Sequence, residues 1–239
     1  ALILTTAHGF LLGEHDWWAK NRMPVYDEIA HIPLMIYHPD FQSEGGTRRK
    51  DLTQNIDLMP TFLEMANISV PPDVTGKSLL PILKGQHNKR KSVIFGYFGA
   101  ALNICDGRYS YFRYPTLPNA EALNEYTLMP TRMTERFSIN DLIGATLVDS
   151  FSFTKGAPLL KLKPKMNNEG EPVEVQGMNF EDWQSALYDH IIDPKQVEPI
   201  INSDIEESLC QQIIENMMRL DAPAEAYKRF GFEKPRETL

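Results

Sequence analysis

The stretch Ala1-Leu2-Ile3-Leu4-Thr5-Thr6-Ala7-His8-Gly9-Phe10-Leu11-Leu12-Gly13-Glu14-His15-Asp16-Trp17-Trp18-Ala19-Lys20 decides how this chain is read. Its first six residues are apolar or β-branched and carry no charged side chain. A short apolar run closed by a glycine-containing turn, here His8-Gly9, is the pattern expected of a strand buried in a parallel sheet. The segment beyond it crowds two histidines, two carboxylates, two tryptophans and a lysine into residues 8–20. In open α/β sheets ligands bind in the loops beyond the carboxyl ends of strands. On residue type alone, His8 also reads as a hydrogen-bonded turn histidine and Lys20 as a surface lysine.

Working outward, residues 10–31 form a polar, aromatic-rich loop and turn region, and Ile32–Tyr37 reads as a second strand. Pro33 is tolerated there because the first residue of a strand need not donate to the ladder. From Asp51 to Ala66, Leu52, Ile56, Met59, Leu63 and Ala66 recur at helical spacing and predict one apolar face. Pro60 either kinks that helix or lies near its start. Ser78–Leu83 predicts a short helical turn ended by Gly85. The character then changes. Val93–Phe98, Ala101–Cys105 and Tyr109–Tyr114 are β-branched and aromatic runs, and Asp106-Gly107 is a hairpin turn signal, so an antiparallel meander is expected. Residues 115–176 carry few periodic signals and read as long ordered loops. Trp183–Tyr188 reads as a further strand. Asp204–Leu220 predicts an amphipathic helix with Leu209, Ile213, Met217 and Leu220 on one side and Pro223 just beyond. These elements predict two parts, residues 1–90 and 91–239.

Composition narrows the function classes. The 239 residues are 42% hydrophobic, enough for a substantial core, and carry 32 acidic against 24 basic side chains, for a formal net charge of -8. Proteins that bind nucleic acid present a basic face, so a nucleic-acid partner is not expected. No run approaches the ~18 apolar residues of a spanning helix, so no membrane partner is expected. Two cysteines, Cys105 and Cys210, make no disulfide framework. Two thiols in a reducing compartment are the simpler reading, which favours a cytoplasmic location. Ala1–Thr6 lacks the charged region and cleavage pattern of a signal peptide.

The order of short motifs resembles the second half of the sulfatase family, within the alkaline-phosphatase-like superfamily. Thr6-Ala7-His8-Gly9 and Leu12-Gly13-Glu14-His15 stand where that family has Ser/Thr-Asp-His/Asn-Gly and Leu-Gly-Glu-His, with a lysine shortly after, here Lys20. Tyr26-Asp27-Glu28-Ile29, Ile32-Pro33-Leu34-Met35-Ile36, Ile56-Asp57-Leu58-Met59-Pro60-Thr61 and Thr75-Gly76-Lys77-Ser78-Leu79-Leu80-Pro81 continue the pattern. Leu187-Tyr188-Asp189 and Asp193-Pro194 resemble its late strand. The resemblance implies an α/β fold: the C-terminal part of an alkaline-phosphatase-like mixed sheet in residues 1–90, then a small antiparallel sheet with a terminal helix in residues 91–239.

It also implies a sulfuric ester hydrolase acting on a sulfate-ester substrate. In that family a cysteine of a Cys-x-Pro-x-Arg motif becomes formylglycine, calcium polarises the sulfate, and lysine and histidine counter its charge. Lys20 and His8 take the catalytic positions, Lys20 also the sulfate-binding one and His8 a metal-ligand position. Trp17 and Trp18, from residue type and not from the resemblance, read as core or rim residues or as a substrate-binding surface for a sugar ring or aryl group. Ala7 replaces the expected Asp, and a methyl group cannot ligate a hard cation. Neither Cys105 nor Cys210 has Pro two residues on or Arg four residues on. The nucleophile and the paired aspartates of the calcium site are therefore expected in an N-terminal half that acts as partner to this portion. Calcium is expected for the complete enzyme and not for this chain alone. Two other readings stay open: a catalytically inactive binding or assembly module, or a phosphodiesterase or phosphonate hydrolase of the same superfamily.

Overall fold

A computed structural model describes residues 1–20, 23–115, 123–131, 135–164 and 184–235. The chain begins with β1 (Leu2–Thr5), β2 (Leu11–Leu12), β3 (Trp18–Ala19), α1 (Asp27–Ala30) and β4 (Leu34–Tyr37). It continues through α2 (Leu58–Met65), α3 (Leu80–Leu83), β5 (Val93–Gly96), β6 (Leu102–Cys105) and β7 (Tyr109–Arg113). Then come β8 (Glu125–Thr127), α4 (Ile139–Leu142), β9 (Thr146–Val148), β10 (Leu159–Leu162), β11 (Ala186–Asp189), α5 (Ser203–Arg219) and α6 (Ala224–Arg229). They fall into two compact units. One comprises Ala1–Gly96, Leu102–Phe112 and Ser185–Leu209, and the other Tyr97–Ala101, Arg113–Gln184 and Cys210–Leu239.

In the first unit the predicted meander forms as a four-stranded sheet of order β11-β7-β6-β5. Asp106 makes the turn between β6 and β7: its carboxylate accepts from the N–H groups of Arg108 and Tyr109, and Gly107 supplies a φ of 97°. Such local Asx geometry is why Asp-Gly marks tight turns. β11 pairs with β7 in the register Leu187↔Tyr111. Ile104, Tyr111, Phe112 and Leu187 are buried at the centre of this sheet.

The first strand differs from its sequence reading. β1 pairs antiparallel with β4, Leu2 facing Tyr37 and Leu4 facing Met35. All four side chains lie on one face of this two-stranded ribbon and are exposed. A fully apolar run predicts burial on both faces, but alternate residues here meet different surroundings. The helix expected over residues 51–66 is shorter. A 3-10 turn at Asn55–Asp57 leads into α2, and Pro60 sits in its first turn, where its missing N–H is harmless. The buried side chains of α2 are Pro60 and Thr61, while Ile56, Met59 and Phe62, in the turn and in α2, are exposed.

In the second unit, β8, β10 and β9 form a three-stranded antiparallel sheet within the segment read as loops. Strands of three or four residues separated by turns are too short to show a period of two. Tyr126 on β8 packs edge-on against Phe151 and donates to Glu225 Oε1 over 2.5 Å. Burial first, and then the Glu225 carboxylate, push the Tyr126 phenol well above its ordinary pKa. The terminal amphipathic helix is α5, with Leu209, Ile213 and Met217 buried and Leu220, just beyond its end, half-buried. No helix among the described residues is long and apolar enough to cross a membrane.

Candidate functional site

The β2–β3 hairpin builds the site. Its register pairs Leu11 with Ala19 and Leu12 with Trp18, which sets position 20 opposite position 10. Residues of one parity share a face of a ribbon. Leu11 points inward and is fully buried, whereas Phe10, Leu12 and Trp18 are exposed on the other side. Position 8 lies two residues before Phe10, so the hairpin mouth brings His8 and Lys20 together: Lys20 Nζ stands 2.7 Å from His8 Nε2. His8 Nδ1 is 2.9 Å from the Gly9 carbonyl oxygen. A carbonyl only accepts, so Nδ1 carries the proton and donates to it. Nε2 is then left with a lone pair that accepts from the Lys20 ammonium. The result is a surface cation held by an imidazole of defined tautomer.

The hairpin loop is held in an uncommon backbone conformation. Gly13, His15 and Asp16 have φ of 118°, 52° and 55°. Two consecutive non-glycine residues in the left-handed region need outside support. Glu14 supplies part of it: its carboxylate accepts from the Leu12 N–H over 2.6 Å, and that bond holds the Glu14 pKa below its ordinary value. His15 supplies the rest. Its ring stacks on Tyr26 with centroids 3.5 Å apart and planes 4° apart, and its Nε2 lies 3.6 Å from Glu28 Oε2.

Gly9 docks the site on α1. Its N–H donates to the Ile29 carbonyl over 2.9 Å, and a Cβ there would overlap the Glu28 carbonyl oxygen. Only glycine permits that approach.

The structure thus brings together Lys20 and His8 and leaves Trp17 and Trp18 exposed beside them, Trp18 with its indole over Gly13. Phe10 and Leu12 belong to the same surface and were not singled out from sequence. Their parity with Trp18 and Lys20 is visible only once the hairpin register is known. Ala7 is exposed and offers no donor. With the His8 Nε2 lone pair directed at an ammonium, the residues present here do not fit a hard cation, which requires carboxylate and carbonyl oxygens. Among the described residues no group of three His, Cys, Asp or Glu side chains is arranged to hold a metal. Neither cysteine forms a disulfide, and burial pushes the Cys105 thiol above its ordinary pKa, away from a reactive thiolate.

Comparison with known proteins adds to this geometry. Residues 13–122 match the family described as N-sulphoglucosamine sulphohydrolase, C-terminal. An N-acetylglucosamine-6-O-sulfatase of Bacteroides thetaiotaomicron is 36% identical over 101 residues, covering 41% of this chain and 18% of the relative. Arylsulfatase K of Xenopus laevis is 35% identical over 91 residues, covering 38% of this chain and 16% of the relative. The match thus spans less than a fifth of these relatives. Among solved structures, a protein in complex with its substrate D-glucosamine-2-N,6-O-disulfate superposes with a TM-score of 0.53 at 18% identity, over 93% of this chain and 35% of that one. A 2-O GAG sulfatase does so with a TM-score of 0.55 at 17% identity, over 92% and 36%. At these identities the two structures show a shared fold.

Proposed function

We propose that this chain belongs to the sulfatase family, carries its C-terminal portion and forms the sulfate-facing side of a sulfuric ester hydrolase site, a reading supported by the family match and the similar sulfatases. The carrying observation is the 2.7 Å contact between Lys20 Nζ and His8 Nε2 on an exposed surface. A sulfate ester is a crowded anion, and negative charge grows on the leaving oxygen as the bond breaks. A fixed ammonium stabilises that developing charge without reorganising, which is how preorganised donors lower a barrier. In the complete enzyme the nucleophile, read as formylglycine, and the calcium ligands would come from polypeptide outside these residues.

The substrate class we propose is a sulfated amino sugar. Phe10 and Trp18 stand exposed on the same hairpin face as Lys20, an arrangement that suits a sugar ring on the indole with its sulfate on the ammonium. Two of the relatives carry glucosamine in their descriptions, which supports this class. The test is NMR titration of the chain with glucosamine 6-sulfate and with unsulfated glucosamine. The sulfated sugar should shift the Trp18 indole and Lys20 side-chain signals, and glucosamine should not. Lys20→Ala should abolish the response. An unchanged response in that variant rejects the reading.

Ala7 favours a second reading, a non-catalytic relative that keeps the anion-facing pair. Turnover of a sulfate ester by the unsubstituted full-length protein would decide for the enzyme, and turnover gained only with Ala7→Asp would decide for the non-catalytic relative.

A further inference from the structure

Far along the chain from His8 and Lys20, His190 follows β11 and bridges two elements of the first unit. Its Nε2 is 2.7 Å from Ser110 Oγ on β7, and its Nδ1 is 3.6 Å from Asp27 Oδ2 at the start of α1. The His190 N–H donates to the Arg108 carbonyl over 2.9 Å, which holds its backbone against the turn before β7. Asp27 is engaged further: its N–H donates to Gln196 Oε1 over 2.7 Å, and its Oδ2 lies 3.3 Å from His31 Nδ1. The order Ser–His–Asp matches that of an acyl-transfer triad, but Ser110 is fully buried and reaches no substrate. Its role is therefore mechanical.

We propose that His190 is a positioning residue for the His8–Lys20 pair, tying β7 to α1 so that α1 can hold the backbone at Gly9. The route is short and continuous. Ser110 fixes the imidazole, the imidazole faces Asp27, and Ile29 of the same helical turn accepts from Gly9 N–H. Gly9 adjoins His8, whose Nε2 meets Lys20. α1 is a single turn of four residues. So short a helix does not hold itself and depends on outside contacts. Tyr26 gives it an aromatic anchor, edge-on to Phe112 and Tyr188 at 5.9 and 6.4 Å. His15 stacks on the face of the same ring, and the His190 contact at the next residue adds a tie from β7. The functional meaning of this device rests on the sulfate-facing reading of Lys20, but its mechanics do not.

The experiment uses the 239-residue chain. Amide hydrogen exchange is measured at Gly9 and, as reference, at Ala66, whose N–H closes α2 on the Phe62 carbonyl over 3.0 Å. The nuclear Overhauser contact between Lys20 side-chain protons and the His8 ring is followed alongside. His190→Ala and Ser110→Ala should speed exchange at Gly9 about tenfold, the loss of one net hydrogen bond, and weaken the Lys20–His8 contact while Ala66 stays put. His190→Gln, which keeps an amide able to reach Ser110, should restore most of both. Parallel acceleration at Gly9 and Ala66 would mean only a general loss of stability and overturns the proposal, as does no change at Gly9. If His190→Ala does not fold, Ser110→Ala decides by the same criteria. A latch that passes while glucosamine 6-sulfate fails to bind rejects the sulfate reading alone.

Discussion

Gly9 shows how much rests on one missing side chain. Its N–H is spent on Ile29, and its Cα hydrogen faces the Glu28 carbonyl. Gly9→Ala should cost about 1–3 kcal/mol, as forced overpacking does. Urea unfolding checks the magnitude. The same variant should lose the Lys20–His8 contact in NMR, because the displaced backbone carries His8 with it. Unchanged stability and an unchanged contact would show that Gly9 is not the docking point. The sequence motif holds Gly9 beside His8. A glycine in sequence announces a turn or a close approach without saying what approaches.

Among the elements, the turn before α2 is held by a buried charge pair. Arg90 donates through Nη1 and Nη2 to the two carboxylate oxygens of Asp57 at 2.5 and 2.6 Å, and both side chains are almost wholly buried. The Gln54 and Lys77 N–H groups complete the carboxylate shell. Burial alone would raise the Asp57 pKa, but the Arg90 guanidinium and the two backbone donors outweigh it and hold it below the ordinary value. A carboxyl whose folded pKa is depressed contributes stability above its unfolded pKa of about 3.9 and loses it as pH falls through the folded value. Asp57→Asn should therefore cost on the order of 3 kcal/mol at pH 7, because it strands the buried guanidinium. The difference from the unsubstituted chain should shrink as pH drops below about 4. Denaturant midpoints across that range check it, and a pH-independent difference would contradict the ion-pair account. Helical spacing did not mark Asp57 as a centre, because its partner Arg90 lies beyond α3.

For the molecule as a whole, the chemistry is incomplete within the described residues. Titration with calcium should give no stoichiometric site, because a Ca2+ ion gathers about 6–8 oxygen ligands and Ala7 and His8 supply none. Incubation with an aryl sulfate should release no product above buffer, since no activated nucleophile is present among the described residues. One tight calcium equivalent by calorimetry would overturn the first expectation. Turnover that survives Cys105→Ala but not Lys20→Ala would overturn the second. The exposed ribbon face of Leu2, Leu4, Met35 and Tyr37 belongs to this scale too. It makes the chain a candidate for concentration-dependent association.

Sequence by itself determined what local chemistry controls. Asp106-Gly107 closes a hairpin because an Asx side chain and a glycine suit that turn. Leu209, Ile213 and Met217 line α5 because a helix repeats every 3.6 residues. The ordered motifs from Thr6 to Pro81 carried the resemblance to sulfatases. Tertiary structure alone decided what depends on register and on partners distant in the chain. The pairing of Leu11 with Ala19 put Phe10, Leu12, Trp18 and Lys20 on one face, and β1 found an antiparallel neighbour in β4. Asp27 met His190, and Asp57 met Arg90. A single sequence read along its length carries propensities for neighbours a few residues away. Contacts between residues tens or hundreds of positions apart are chosen by whole-chain packing, and this site is made of both.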